Sequence, residues 1–262
     1  MSNYQKVKII VAGDSVINSL GVGKTALVNM LCYDTVVTNP NWTIGAQVEI
    51  KLHDYQAGTP SQANYCVELW DIGGYKNHTN SRSVFYSGTD GIILVYDVTN
   101  KKSENNLNEW LAEILRRNPD MNQEGCSEET SIMGSYLGDS FYSFSNNSDW
   151  YRRSSNLTEM PILVIGTNLD QIPPSINHQI IEQRRGNFSQ VNQYDEIILS
   201  NMSLDSLAPG CSNSVVIDRF FDQVISMKIF NKTNLDIIRS SVNIDSRYSN
   251  KRHVLIRIDK GT

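Results

Sequence analysis

Residues 13–25 read GDSVINSLGVGKT. They follow the apolar run KVKIIVA (6–12) and lead into TALVNMLC (25–32), which has helical spacing. A strand, a glycine-rich turn ending in Gly21-Val22-Gly23-Lys24-Thr25 and then a helix is the setting of a phosphate-binding loop. Such a loop turns successive backbone N–H groups toward phosphates and adds the positive end of the helix. Its Lys reaches the β- and γ-phosphates, and its Thr hydroxyl reaches magnesium. Five residues, Val16–Leu20, interrupt the pattern, and Asn18 stands where the general pattern has its first glycine. Asn tolerates positive φ better than most residues. Three readings stay open for these five: an outward loop that spares the nest, a weakened or lost phosphate site, or codons absent from the true transcript.

Around that loop, strand-like and helix-like runs alternate. AQVEIKLHDY (46–55) and YCVELWDI (65–72) alternate apolar with polar residues about Gly58-Thr59-Pro60, which predicts a hairpin. GIILVYDV (91–98) and PILVIG (161–166) are unbroken apolar runs, as in central strands covered on both faces. Leu107, Trp110, Leu111, Ile114 and Leu115 predict an amphipathic helix over 104–117. EIILS (196–200) reads as a short strand, and Val216, Ile217, Phe220, Phe221, Val224 and Ile225 as a last core-packing helix. The expected fold class is α/β, a P-loop nucleotide-binding fold with a mostly parallel sheet and helices on both faces.

The expected organisation is one domain over 1–228, with a Ser/Asn-rich insert at about 118–158 and a polar extension over 229–262. The chain of 262 residues carries a formal net charge of −5, which speaks against nucleic acid as the main partner. No apolar run approaches the ~18 residues that cross a bilayer, and the amino terminus lacks a signal-peptide core. Four scattered cysteines form no metal spacing and suit a reducing, cytoplasmic setting. The four histidines suggest no metal site or catalytic triad.

Two further stretches bear on chemistry. In LWDIGG (69–74), Asp71 at a strand end can hold magnesium, and Gly74 leaves room for a γ-phosphate to take a backbone N–H. In GTNLD (166–170), Asp170 can accept both the N1 and the N2 protons of guanine, a pairing that adenine cannot offer.

In order and spacing these stretches, with TIGAQV (43–48) and SRSVFYSGTDGIILVYDVTN (81–100), resemble the Rab-type small GTPases over roughly 5–115 and 160–228. HDYQAGTP, NPNWTIG, the paired glycines of WDIGG, the long insert and CSNSVVIDRFFDQVI are most similar to the divergent Rab-like three branch. The resemblance implies a nucleotide site of Gly21, Val22, Gly23, Lys24, Thr25, Ala26, Thr43, Gly74, Thr167, Asn168 and Asp170. It implies magnesium held by Thr25, Thr43 and Asp71. GTP, GDP and Mg are the implied cofactors, and effector or regulatory proteins the implied partners. Pairing as a homodimer is a further implication of that branch.

The chain also departs from the family's pattern. Tyr75 stands where active members carry the glutamine that orients the attacking water, so hydrolysis is expected to be slow. Asn168 replaces a Lys whose stem covers the purine. Leu199-Ser200-Asn201 is the nearest place for the last guanine motif. The final residues, Asp259-Lys260-Gly261-Thr262, offer no cysteine for prenylation, so no lipid anchor is expected. The expected function is a guanine-nucleotide switch. The alternative is a pseudo-GTPase kept as an interaction scaffold, and an ATP-using enzyme fits poorly beside Asp170.

Overall fold

The computed structural model describes residues 5–15, 21–75, 78–118, 160–173 and 187–252. Val16–Leu20, nearly all of the 118–158 insert and the residues after 252 lie outside the described residues. Six strands form one sheet: β1 (Gln5–Ala12), β2 (Ala46–Tyr55), β3 (Ala63–Ile72), β4 (Gly91–Asp97), β5 (Ile162–Thr167) and β6 (Asp195–Ile198). Their order is β2-β3-β1-β4-β5-β6. Only the β2–β3 pair is antiparallel; the others run parallel.

Alternation along β1 divides the core. Val7, Ile9 and Val11 face one side. There they meet Leu27 and Leu31 of helix α1 (Lys24–Tyr33) and Phe220, Phe221 and Val224 of the last helix. Ile10 and Ala12 face the other side, with Ile92, Leu94, Trp110, Leu111 and Ile114. Sheet residues that alternate faces therefore feed two apolar layers. Each large side chain so buried contributes about 1.5–3 kcal/mol relative to exposure.

A short helical turn, α2 (Thr79–Arg82), follows β3. The helix expected over 104–117 is two elements, α3 (Lys101–Asn105) and α4 (Leu107–Arg117). Asn106 stands between them at φ −71°, ψ −10°, where its side chain reaches back to Asp14 Oδ2 at 2.6 Å. Helix α3 starts a turn earlier than expected because the Asn100 side chain caps it, accepting from the Lys102 N–H. Beyond α5 (Asn187–Asn192) and β6, the last helix α6 runs over Ser212–Arg252. His53 of the hairpin is buried against it, with Nε2 2.8 Å from Asp222 Oδ1, and Tyr55 Oη lies 2.9 Å from Ser226 Oγ. Cys32, Cys66 and Cys211 are half-buried and form no disulfide. Among the described residues no helix is long and apolar enough to cross a membrane.

Candidate functional site

Strand β1 lies between β3 and β4, where the chain's crossovers diverge to opposite sides of the sheet. In open α/β sheets the crevice beyond the strand ends at such a point is the usual ligand site. The residues after β1, β3 and β5 all project there.

The two anchors of the interrupted loop meet. A methyl group on Gly21 would touch Ser15 Cα at 3.4 Å and Asp14 O at 3.5 Å. The Val22 N–H donates to Asp14 O at 3.3 Å. The break in the sequence pattern is therefore closed in space on the described side. Residues 16–20, including the question of bulk from Ile17 or Leu20, lie outside the described residues. Gly23 precedes α1 at φ 80°, a left-handed conformation that glycine adopts without penalty. Its carbonyl accepts from the Leu27 N–H at 2.9 Å.

Lys24 is buried, with Nζ donating to Gly13 O at 2.8 Å and lying 3.5 Å from Asp14 O and from Ser15 Oγ. Burial pulls its pKa below the ordinary lysine value, and the charges of Asp71 and Asp14 push it back only in part. An ammonium so placed, stripped of water, gains strongly from an anionic ligand.

Thr25, Thr43 and Asp71, expected from the sequence to share a magnesium ion, converge. Thr25 Oγ1 donates to Asp71 Oδ2 at 2.5 Å, Thr43 Oγ1 donates to the same oxygen at 2.9 Å, and the two hydroxyls are 3.1 Å apart. The second carboxylate oxygen, Asp71 Oδ1, is buried and accepts no hydrogen bond from a described residue. A buried, unpaired carboxylate oxygen beside two hydroxyls fits a small hard cation whose other ligands are water and phosphate. Among the described residues no three His, Cys, Asp or Glu side chains group as a metal cluster, so this oxygen set is the candidate.

Gly74 presses on the phosphate loop. Its N–H donates to Ser15 Oγ at 3.1 Å, and a methyl group on it would lie 2.5 Å from Gly13 O, Ser15 N and Ser15 Oγ. Ser15 Oγ thus lies within reach of both Lys24 Nζ and the Gly74 N–H, the two donors that the resemblance assigns to the γ-phosphate. Tyr75 stacks edge-on against His78, ring centroids 5.3 Å apart.

On the opposite side of the loop, Thr167 Oγ1 lies 2.6 Å from Val22 O and 3.0 Å from Tyr96 O. Asn168 has φ 62°, the left-handed conformation that Asn tolerates. Asp170 is exposed and accepts from Ser200 Oγ at 2.7 Å. Asn201 is buried, its Nδ2 3.4 Å from Gly23 O and its Oδ1 without a partner among the described residues. Val22 and Ala26 are buried, and Val22 belongs to the apolar layer on the α1 side of the sheet.

Sequence reasoning gave no site role to Ser15, Asp14, Arg82 or Trp110. Asp14 turns its carboxylate away from the loop, accepting from Asn106 Nδ2 and from Trp110 Nε1 at 2.8 Å. Ser15 stood inside the quoted motif, and its hydroxyl next to a glycine nest was the available signal. Arg82 lay within the 81–100 stretch and Trp110 within the apolar stripe of 104–117, and neither pattern signalled a role at the site.

Comparison with known proteins bears on the family. Residues 8–124 match the family model described as Roc, "Ras of Complex, Roc, domain of DAPkinase". The chain is 38% identical to Rab-like protein 3 of Mus musculus over 234 residues, spanning 88% of this chain and 89% of that protein. Identity to Rab-like protein 3 of Danio rerio is also 38%, over 236 residues, 88% of this chain and 91% of that protein. The Small GTPase LIP1 of Arabidopsis thaliana is 34% identical over 119 residues, 42% of this chain and 33% of that protein.

Proposed function

The chain belongs to the Rab-like small GTPases, the family of Rab-like protein 3, and from that premise we propose that it binds GTP and GDP with magnesium and acts as a guanine-nucleotide-dependent switch of slow turnover. The observation that carries this reading is the convergence of Thr25, Thr43 and Asp71 on one buried carboxylate with an orphaned oxygen, beside the Lys24 ammonium.

In this reading the backbone N–H groups of 21–26 cradle the phosphates, and Lys24 supplies a buried positive charge against them. Thr25, Thr43 and Asp71 would hold magnesium, which when bound neutralises phosphate charge. Ser15 Oγ gives up the Gly74 N–H, and that donor turns to the terminal phosphate. Thr43, whose hydroxyl here meets Asp71 and Thr25, would exchange that hold for magnesium and the terminal phosphate, so the segment around it responds to the ligand. Effector proteins then read the surface near Thr43 and Gly74. On the base side, Asp170 accepts from guanine, while Thr167 braces the loop through Val22 O. Tyr75 has no amide with which to orient water, so turnover is slow.

A scaffold that needs no nucleotide is favoured by one observation: Ser15 Oγ already engages the donors meant for the γ-phosphate. Titration of the purified chain with fluorescent GDP and GTP, with ATP as competitor, separates the two. The switch reading expects saturable guanine binding that ATP does not displace. Absence of binding at hundreds of micromolar leaves the scaffold. A partner whose binding survives Lys24→Ala unchanged would point the same way.

A further inference from the structure

We propose that Arg82, to which the sequence assigned no role at the site, is a positioning residue that aims the Gly74 N–H and so sets the preference for a nucleoside triphosphate over a diphosphate; this rests on the switch reading above. Arg82 is 3% exposed. Its Nε and Nη2 donate to the two carboxylate oxygens of Glu113, each at 2.7 Å, a bidentate clamp to α4. Its remaining nitrogen, Nη1, donates to Gly73 O at 3.2 Å and to Tyr75 O at 3.1 Å. One guanidinium therefore grips the carbonyls on both sides of Gly74.

Peptide planarity turns that grip into aim. The Gly73 carbonyl and the Gly74 N–H belong to one planar trans peptide and point in opposite directions. Holding the carbonyl toward Arg82 drives the N–H toward the phosphate loop, where it meets Ser15 Oγ at 3.1 Å. The same guanidinium lies over the Trp110 ring, 4.2 Å from its centroid, and Trp110 Nε1 donates to Asp14 Oδ1 at 2.8 Å. Asp14 O in turn accepts from the Val22 N–H. Both walls of the phosphate site are thus fixed to one buried frame on α4. A diphosphate has no terminal phosphate for Gly74 to sense, so loosening Arg82 selects against the triphosphate alone. A Lys at this place offers no planar fork and cannot replace it.

The test uses the full chain with Arg82→Lys, read by titration with fluorescent GDP and a non-hydrolysable GTP analogue. The expected result is about tenfold weaker triphosphate binding, the loss of one oriented donor, with diphosphate affinity within about twofold of the original. Hydrogen–deuterium exchange should quicken at 73–75 and stay unchanged in α4. Equal losses for both nucleotides, or no change in either, would overturn the proposal while leaving the switch reading intact. Unaltered protein that binds neither nucleotide would overturn both together. If Arg82→Lys melts below the assay temperature, Glu113→Gln, which keeps the guanidinium but removes the charge orienting it, is read by the same ratio.

Discussion

Thr43 Oγ1 lies 2.9 Å from Asp71 Oδ2, so a residue of the loop before β2 hangs on a carboxylate at the end of β3. That carboxylate also receives the first-turn hydroxyl of α1, Thr25, while its other oxygen is orphaned and buried. Three elements distant in sequence share one anion.

Magnesium dependence follows from that arrangement. Chelation should weaken GTP binding, and Thr25→Ala or Asp71→Ala should remove most of the magnesium-dependent part, about tenfold or more. Titration with and without EDTA measures it. Equal magnesium dependence in the variants and the original would detach these residues from the metal.

Gly74 tolerates no side chain. A methyl group there would stand 2.5 Å from three atoms of the phosphate loop, so Gly74→Ala must push the two loops apart. Overpacking of this kind costs about 1–3 kcal/mol. A lowered melting temperature together with weaker GTP binding is expected, and a variant indistinguishable from the original would contradict the contact.

The pH response follows from Lys24. Its pKa is lowered by burial from the ordinary 10.5, so it loses its proton at a lower pH than it would in the unfolded chain. Between the lowered value and the ordinary one the unfolded state binds more protons, so stability of the nucleotide-free protein rises with pH there. Phosphate binding needs the ammonium, so GDP affinity should fall over the same window. Lys24→Ala should flatten both trends. GDP affinity measured from neutral to alkaline pH, flat in the original, would contradict the role of the charge.

In the proposed reading base preference is set by Asp170, which stands in the turn after β5 and accepts from Ser200 Oγ. Asp170→Asn replaces one acceptor by a donor, which matches the 2-oxo group of xanthine instead of the 2-amino group of guanine. Competition between guanosine and xanthosine diphosphates should shift toward xanthosine by about tenfold, one hydrogen-bonded pair exchanged for a mismatch. An unchanged ratio would place base recognition elsewhere.

Much of the architecture was legible in the sequence because it follows from burial. The runs at 91–98 and 161–166 admit little but central strands, and β2–β3 forms the expected hairpin. Thr25, Thr43 and Asp71 were legible as a set because spacing along a known order carries geometry. Asn106 was not, since its side chain makes a tertiary hydrogen bond with Asp14 that no local pattern announces. Arg82 lies in a serine-bearing surface-like stretch, and only the fold brings Glu113 and Trp110 to it. Asn201 was named in the sequence only as part of the nearest place for the last guanine motif, and its closeness to the phosphate loop is a feature of the fold, where a methyl group on Gly23 would meet its Nδ2 at 2.0 Å.

The central claim is that a loop interrupted between Ser15 and Gly21 still cradles phosphates. Hydrogen–deuterium exchange on the full chain, with and without GDP and magnesium, tests it most directly. Protection concentrated at the amides of 21–26, with a second focus at 167–170, is the expected result. Exchange at 21–26 that GDP leaves unchanged would contradict the account.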